Sequence, residues 1–235
     1  LLFLERFEQG SSAYHIPYCA KFDANVDMTV FENAITQLIA RHPVLNSVYL
    51  SEHAHDYQSV RTEQVVLNHH ELPTIDQLER EVKQALSIPF DLSEEASIRL
   101  NHYRVADESY LFIVWHHIAF DGWSTDIFLQ ELSEVYRALL NNEQPNLPAQ
   151  DILYSDYAAW QRDYLQGEVL EDQVNYWKEQ LSGYETLDLN TDKVRPSHID
   201  YAGDDYPFAL EAELSSQLKT LAKDNDTTLY TVLLS

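Results

Sequence analysis

Residues 110–115, Tyr-Leu-Phe-Ile-Val-Trp, put a bulky apolar side chain at every position. A strand points successive side chains to opposite faces, so this segment needs apolar cover on both sides, which a sheet wetted on one face cannot give. The run therefore predicts a central strand layered between helices, and it is far too short to cross a bilayer.

The rest of the chain supplies the layers. Residues 16–22 read as a strand, and a helix follows from Asp27 or Thr29 to His42. Thr29 and Glu32 stand at capping-box spacing, and Phe31, Ile35, Leu38 and Ile39 form its apolar stripe. Residues 64–67 read as a strand, and 75–87 as a helix that buries Ile75, Leu78, Val82 and Leu86 and stops before Pro89. Residues 97–105 and 109–116 form a predicted hairpin across Ala106, Asp107 and Glu108. A helix from Ser124 to Leu140 carries Phe128, Leu132, Val135 and Leu139 on one side. After a polar, proline-bearing loop come helices over 154–165 and 169–181, the second with Leu170, Val174, Trp177 and Leu181 in register ahead of Gly183. Periodicity fades over 184–205, after which 206–210 reads as a strand and 214–222 as a helix. No fixed period recurs, so the order predicts an α/β or α+β sandwich and no solenoid. Its main body is residues 1–183, with a crossover over 184–205 and the opening of a second body at 206–235. Both ends read as cut, so a piece of a larger protein is expected.

Charge narrows the partners. Fifteen Lys and Arg face 39 Asp and Glu, a net charge of −24, so most of the surface repels phosphate. Nucleic acid and anionic membrane are excluded as expected partners, and solubility is the ordinary reading of the acidity. The single cysteine, Cys19, allows no intrachain disulfide and no cysteine-rich zinc site, and fits a reducing cytoplasm. The opening LLFLERF has no basic lead-in or small-residue cleavage site, so it does not read as a signal peptide.

The chemistry concentrates in Trp115-His116-His117-Ile118-Ala119-Phe120-Asp121-Gly122-Trp123-Ser124. Alternation places His117 on the side of Leu111, Ile113 and Trp115, and His116 on the side of Tyr110, Phe112 and Val114, so only one imidazole can face a given cleft. A histidine at a strand end titrates near neutrality and can handle a substrate proton. The Asp121-Gly122 step lets backbone approach closely, and Ser124 is the expected helix cap. Spacing alone favours two hydrogen-bonded structural histidines over a catalyst. Zinc held by His116, His117 and Asp121 is disfavoured, because adjacent strand residues diverge and no third ligand is evident. There is no G-x-S-x-G nucleophile elbow, Cys19 reads as packing, and His69-His70 reads as a solvated turn after a strand.

HHIAFDGWS matches without a gap the H-H-x-x-x-D-G motif of the condensation domains of nonribosomal peptide synthetases, and of the wider acyltransferases that share it. GSSAYHIP, RHPVLNSVY, PFDLSE, YSDYAAWQ and LEDQVNYWKEQLSG also resemble segments of that family, in its order. The resemblance implies a chloramphenicol-acetyltransferase-like lobe over residues 1–183 and the start of a second, with a tunnel between two such lobes. It implies donor and acceptor peptidyl carrier domains as partners, an adenylation domain in the same assembly line, and no cofactor bound directly. Substrates would arrive as phosphopantetheine thioesters and leave joined by an amide bond, a step of secondary-metabolite biosynthesis. His117 would be catalytic, Asp121 an orienting anion, and Gly122 the space for the pantetheine arm, with His116, Trp123 and Ser124 in support. The family's second motif has Glu and a second Arg where this chain has Pro43 and Asn46, which leaves Arg41 as the candidate ionic partner of Asp121. AYHIP and Gly122-Trp123-Ser124 point to the type that joins two L-configured units. Epimerisation, a freestanding acyltransferase and a noncatalytic partner-recruiting domain are the alternatives. The isolated chain is expected to be inactive.

Overall fold

In a computed structural model of the chain, which describes residues 1–7, 12–53, 55–186, 190–194 and 206–235, the apolar segment lies inside the strand Glu108–His116. The chain forms two compact units, Leu1–Leu189 and Asn190–Ser235. The first opens with α1 (Leu2–Phe7), β1 (His15–Lys21) and α2 (Met28–Arg41), followed by a short 3-10 turn at Pro43–Asn46. Next come β2 (Ser47–Glu52), β3 (His55–Val60), β4 (Leu67–Leu72), α3 (Ile75–Ser87), β5 (Ile98–Val105) and β6 (Glu108–His116). The unit continues with α4 (Gly122–Leu140), α5 (Tyr154–Tyr164) and α6 (Gly167–Gln180).

The main sheet has the order β1-β6-β5-β4, and β2 pairs with β3 separately. β4 and β5 run parallel across the α3 crossover, while β5-β6 and β1-β6 are antiparallel. β6 is thus flanked on both edges and covered on both faces. Leu111, Ile113 and Trp115 join Phe31, Ile35 and Leu38 of α2 and Phe128, Leu132 and Val135 of α4 in one core. Phe112 and Val114 join Leu78 of α3, Phe90 and Leu92 in another. That division is the layered sandwich that apolar side chains on alternate faces require.

Several local expectations are corrected. Asp27, and no Thr29–Glu32 capping box, caps α2: its Oδ1 accepts from the amides of Thr29 at 3.0 Å and Val30 at 3.1 Å. The strand expected at 64–67 starts at Leu67, so His69 and His70 lie within β4 and not in a turn. There His69 Nδ1 lies 2.9 Å from His102 Nδ1, and His70 Nε2 3.2 Å from Asn101 Oδ1. Ile75 at the start of α3 is exposed although Leu78 is buried. The stripe Leu170, Val174, Trp177 and Leu181 is exposed, because no described element covers that side of α6. Ala106, in the left-handed region at φ 52°, turns the β5-β6 hairpin. Alternation did not announce β2 and β3, since β3 is largely polar and exposed.

The second unit holds α7 (Ala212–Asp224) and α8 (Leu229–Leu234), the latter capped by Thr228. Residues 206–210 form no strand, for they have no ladder partner among the described residues. Most of the crossover expected over 184–205, and Gly10 and Ser11 of the GSSAYHIP segment, lie outside the described residues. Among the described residues no helix is long and apolar enough to cross a membrane.

Candidate active site

β6 ends at His116, and the chain turns through residues 117–120 before α4. Phe120 folds back beneath the strand end and stacks on Trp115 with ring centroids 4.1 Å apart, and Phe128 meets both rings edge-on. This aromatic cluster anchors the loop in the core, so its two polar ends are presented from a packed base. Sequence periodicity gave no sign of the Phe120 anchor.

His117 is exposed, and its backbone amide donates to the Tyr14 carbonyl at 2.8 Å. Among the described residues no hydrogen bond engages its imidazole. His116 is fully buried, at 0% exposure. Its Nδ1 accepts from the Ile118 amide at 3.1 Å, and its Nε2 lies 2.9 Å from Glu5 Oε1. His15 and Phe90 wall its ring. Burial pushes the His116 imidazole below its ordinary pKa, although Glu5 pulls the other way, a shift that favours the neutral ring.

Asp121, not Ser124, caps α4. Its Oδ1 accepts from the Ser124 amide at 2.9 Å and the Ser124 hydroxyl at 2.7 Å. Those two bonds from Ser124 hold the Asp121 carboxyl below the usual carboxylate range, with His117 a smaller contribution. A side chain that already bonds the first turn's orphan amide is the better cap, and Ser124 sits inside the helix as its donor. Gly122 is the first residue of α4, and a Cβ built there would meet nothing within 4 Å. Its φ lies outside the left-handed region, so the fold itself places no demand for glycine. Trp123 stands 88% exposed beside it.

Arg41 does not pair with Asp121. At the end of α2 it faces α4, where Nε donates to Glu131 Oε2 at 3.0 Å and Nη2 to the Pro148 carbonyl at 2.6 Å. His42 Nε2 donates to the same Glu131 oxygen at 2.6 Å. Burial pushes the Glu131 carboxyl up, but the bonds from His42 and Arg41 outweigh it and hold the group low. Asn46 is likewise engaged elsewhere, with Nδ2 donating to the carbonyls of Arg61 and Glu63. Asp121 therefore has no cationic partner from the second motif. A cavity of 160 Å³ opens beside the loop, lined by His42, Val44, Ala119, Phe120, Ser124 and Ile127 among others. No cluster of three or more metal-ligating side chains occurs among the described residues.

The Condensation domain family matches residues 1–235. A subunit of the linear gramicidin synthase of Brevibacillus parabrevis is 36% identical over 245 residues, covering 100% of this chain and 3% of that protein. The X-domain in complex with OxyB from teicoplanin biosynthesis superposes with a TM-score of 0.80 at 21% identity, covering 94% of this chain and 50% of that one. The epimerization domain from the third module of tyrocidine synthetase B gives 0.69 at 21% identity over 82% of this chain and 46% of that one. The fold is thus the chloramphenicol-acetyltransferase-like sandwich of these domains, and the chain spans about half of the solved structures it resembles. Matched from its first residue to its last, the chain belongs to the condensation-domain family of nonribosomal peptide synthetases.

Proposed function

We propose that the chain is the first lobe, and the start of the second, of a condensation domain that joins carrier-bound acyl and aminoacyl thioesters through an amide bond, of the type that couples two L-configured units. The carrying observation is His117: an imidazole without a hydrogen-bond partner among the described residues, exposed at the end of a loop whose base is packed into the core. The open space over Gly122 supports passage of a pantetheine arm there, since among the described residues, its chain neighbours aside, nothing lies within 4 Å of a Cβ at that position. Donor and acceptor carrier domains would bring the substrates, an adenylation domain would load them, and the compartment would be cytoplasmic.

In the reaction the acceptor's α-amine attacks the donor thioester carbon. A C–N bond forms, the C–S bond breaks, and the departing pantetheine sulfur takes up the proton that the nitrogen sheds. A free α-amine has a pKa of about 7.7–8.0, so neutralising it near pH 7 costs only about 1 kcal/mol. Orienting it against the thioester is worth roughly 7–11 kcal/mol. His117 therefore acts chiefly by positioning the amine and moving its proton as the tetrahedral intermediate forms and collapses. Asp121 caps α4 beside it as a fixed anion.

Single-turnover transfer between two loaded carrier domains, in the complete domain, tests this. His117→Ala should abolish most transfer, and raising the pH from about 7 to about 8.5 should give little rescue, because orientation is what is missing. Near-complete recovery would overturn the positioning role and leave His117 as a simple base. A second reading, a noncatalytic domain that recruits a partner, is favoured by the missing cation at Asp121. It predicts that the complete domain with His117 intact gives no transfer above the uncatalysed rate, so that His117→Ala changes nothing.

A further inference from the structure

We propose that Glu5 is a positioning residue for the His117 loop, acting through the buried imidazole of His116. The inference rests on the catalytic reading of His117. Ile118 donates its amide to His116 Nδ1 at 3.1 Å, so that nitrogen must present a lone pair. In a neutral ring the proton then sits on Nε2, which donates to Glu5 Oε1 at 2.9 Å. Glu5 is thus the group that selects the tautomer able to accept from Ile118.

The consequence falls on either side of His117. Its own amide is held by Tyr14, and the amide that follows it is held by His116 Nδ1. Loss of the Glu5 acceptor lets His116 place its proton on Nδ1, where it opposes the Ile118 N–H and releases one of the two restraints. The pair is largely withdrawn from water, with the His116 side chain 0% exposed and that of Glu5 9%, although Glu5 also lines an open cavity with Leu2, Tyr49 and Phe90. α1 docks through this contact, through Leu2, which packs on the Phe112 and Val114 core, and through Arg6 Nη1, which donates to Asp56 Oδ1 of β3 at 2.7 Å, while Phe3 and Phe7 point to solvent. Among the described residues, Glu5 is the side chain that couples the first helix to the catalytic loop, through His116.

The test compares Glu5→Ala, Glu5→Gln and Glu5→Asp in the complete domain, with His117→Ala alongside. Glu5→Ala should slow single-turnover transfer by about 100-fold at unchanged KM, as a misplaced catalytic group does. Glu5→Gln keeps an acceptor oxygen and should recover most of the rate. Two readouts are independent of turnover: the ¹⁵N signals of His116 should lose the Nε2–H tautomer in Glu5→Ala, and the Ile118 amide should exchange faster with solvent. Wild-type turnover in Glu5→Ala, equal damage in Glu5→Gln, or an unchanged tautomer and Ile118 exchange would each overturn the proposal. Should Glu5→Ala fail to fold, Glu5→Asp retains the charge on a shorter reach and must show the same tautomer and exchange changes, or the proposal falls. If His117→Ala transfers normally, the catalytic reading fails, while the tautomer and exchange data still decide the role of Glu5.

Discussion

At Asp121 a single carboxylate serves both the motif and the helix, and its partners come from its own turn. Because Ser124 supplies both bonds to Oδ1, Asp121→Ala should cost about 1 kcal/mol of stability as a lost cap. Arg41 and Asp121 share no contact, so a double-mutant cycle between them, read by chemical denaturation, should give a coupling energy near zero. A large coupling would restore the ion pair that the second motif was expected to supply. Gly122→Ala separates fold from function in the same way. Nothing lies within 4 Å of the added methyl and the backbone is unstrained, so the unfolding midpoint should hold or rise. Transfer should fall if the pantetheine arm occupies that space. Wild-type transfer would remove Gly122 from the site.

At the scale of elements, β6 ties the two cores together, and histidines in and beside the sheet govern its response to acid. His15, His102 and His116 each have a pKa lowered from 6.5, in every case first by burial. Beyond burial, Arg99 lowers His15, His69 and Arg104 lower His102, and His15 and His117 lower His116, while the Leu86 carbonyl bonded to His15 and the carboxylates of Glu5, Glu95, Glu71 and Glu32 pull in the opposite sense. The folded state thus binds fewer protons than the unfolded one just below pH 6.5, and stability rises with pH through that window. Unfolding midpoints measured across it should fall as the pH drops below about 6.5, and His102→Asn should flatten the fall. A midpoint flat from neutrality down to the carboxylate range would contradict this. Removing Phe112, which is 1% exposed between the sheet and α3, should cost about 3–5 kcal/mol as Phe112→Ala.

Over the whole molecule the net charge of −24 sets the long-range behaviour. Like charges at this density repel one another across the surface, so added salt at constant pH should raise the unfolding midpoint. The same field should prevent retention on a DNA column at moderate salt, and binding there would contradict the exclusion of nucleic acid. α5 carries an exposed aromatic ladder, with Tyr154, Tyr157, Trp160 and Tyr164 each within 6.1 Å of the next by ring centroid. Apolar area left in water adds little to the stability of this unit, so Trp160→Ala should change the midpoint only slightly.

What could be read from the sequence was what local chemistry decides. Side chains alternate along a strand by covalent geometry, so an unbroken apolar run from Tyr110 to Trp115 required cover on both faces. Helical stripes such as Phe31, Ile35 and Leu38 follow equally from the 3.6-residue turn, and the buried faces of α2 and α4 match them. The separation of His116 from His117 was legible by the same alternation. Partner choice was not legible, because it joins residues far apart in the chain. Arg41 meets Glu131 90 positions away, and His116 meets Glu5 111 positions away. Nor could periodicity show that the stripe of α6 stays in water or that residues 206–210 find no ladder, since burial and pairing depend on which surfaces the folded chain brings together. Sequence determined the layers and the motif; tertiary packing decided which side chain holds which.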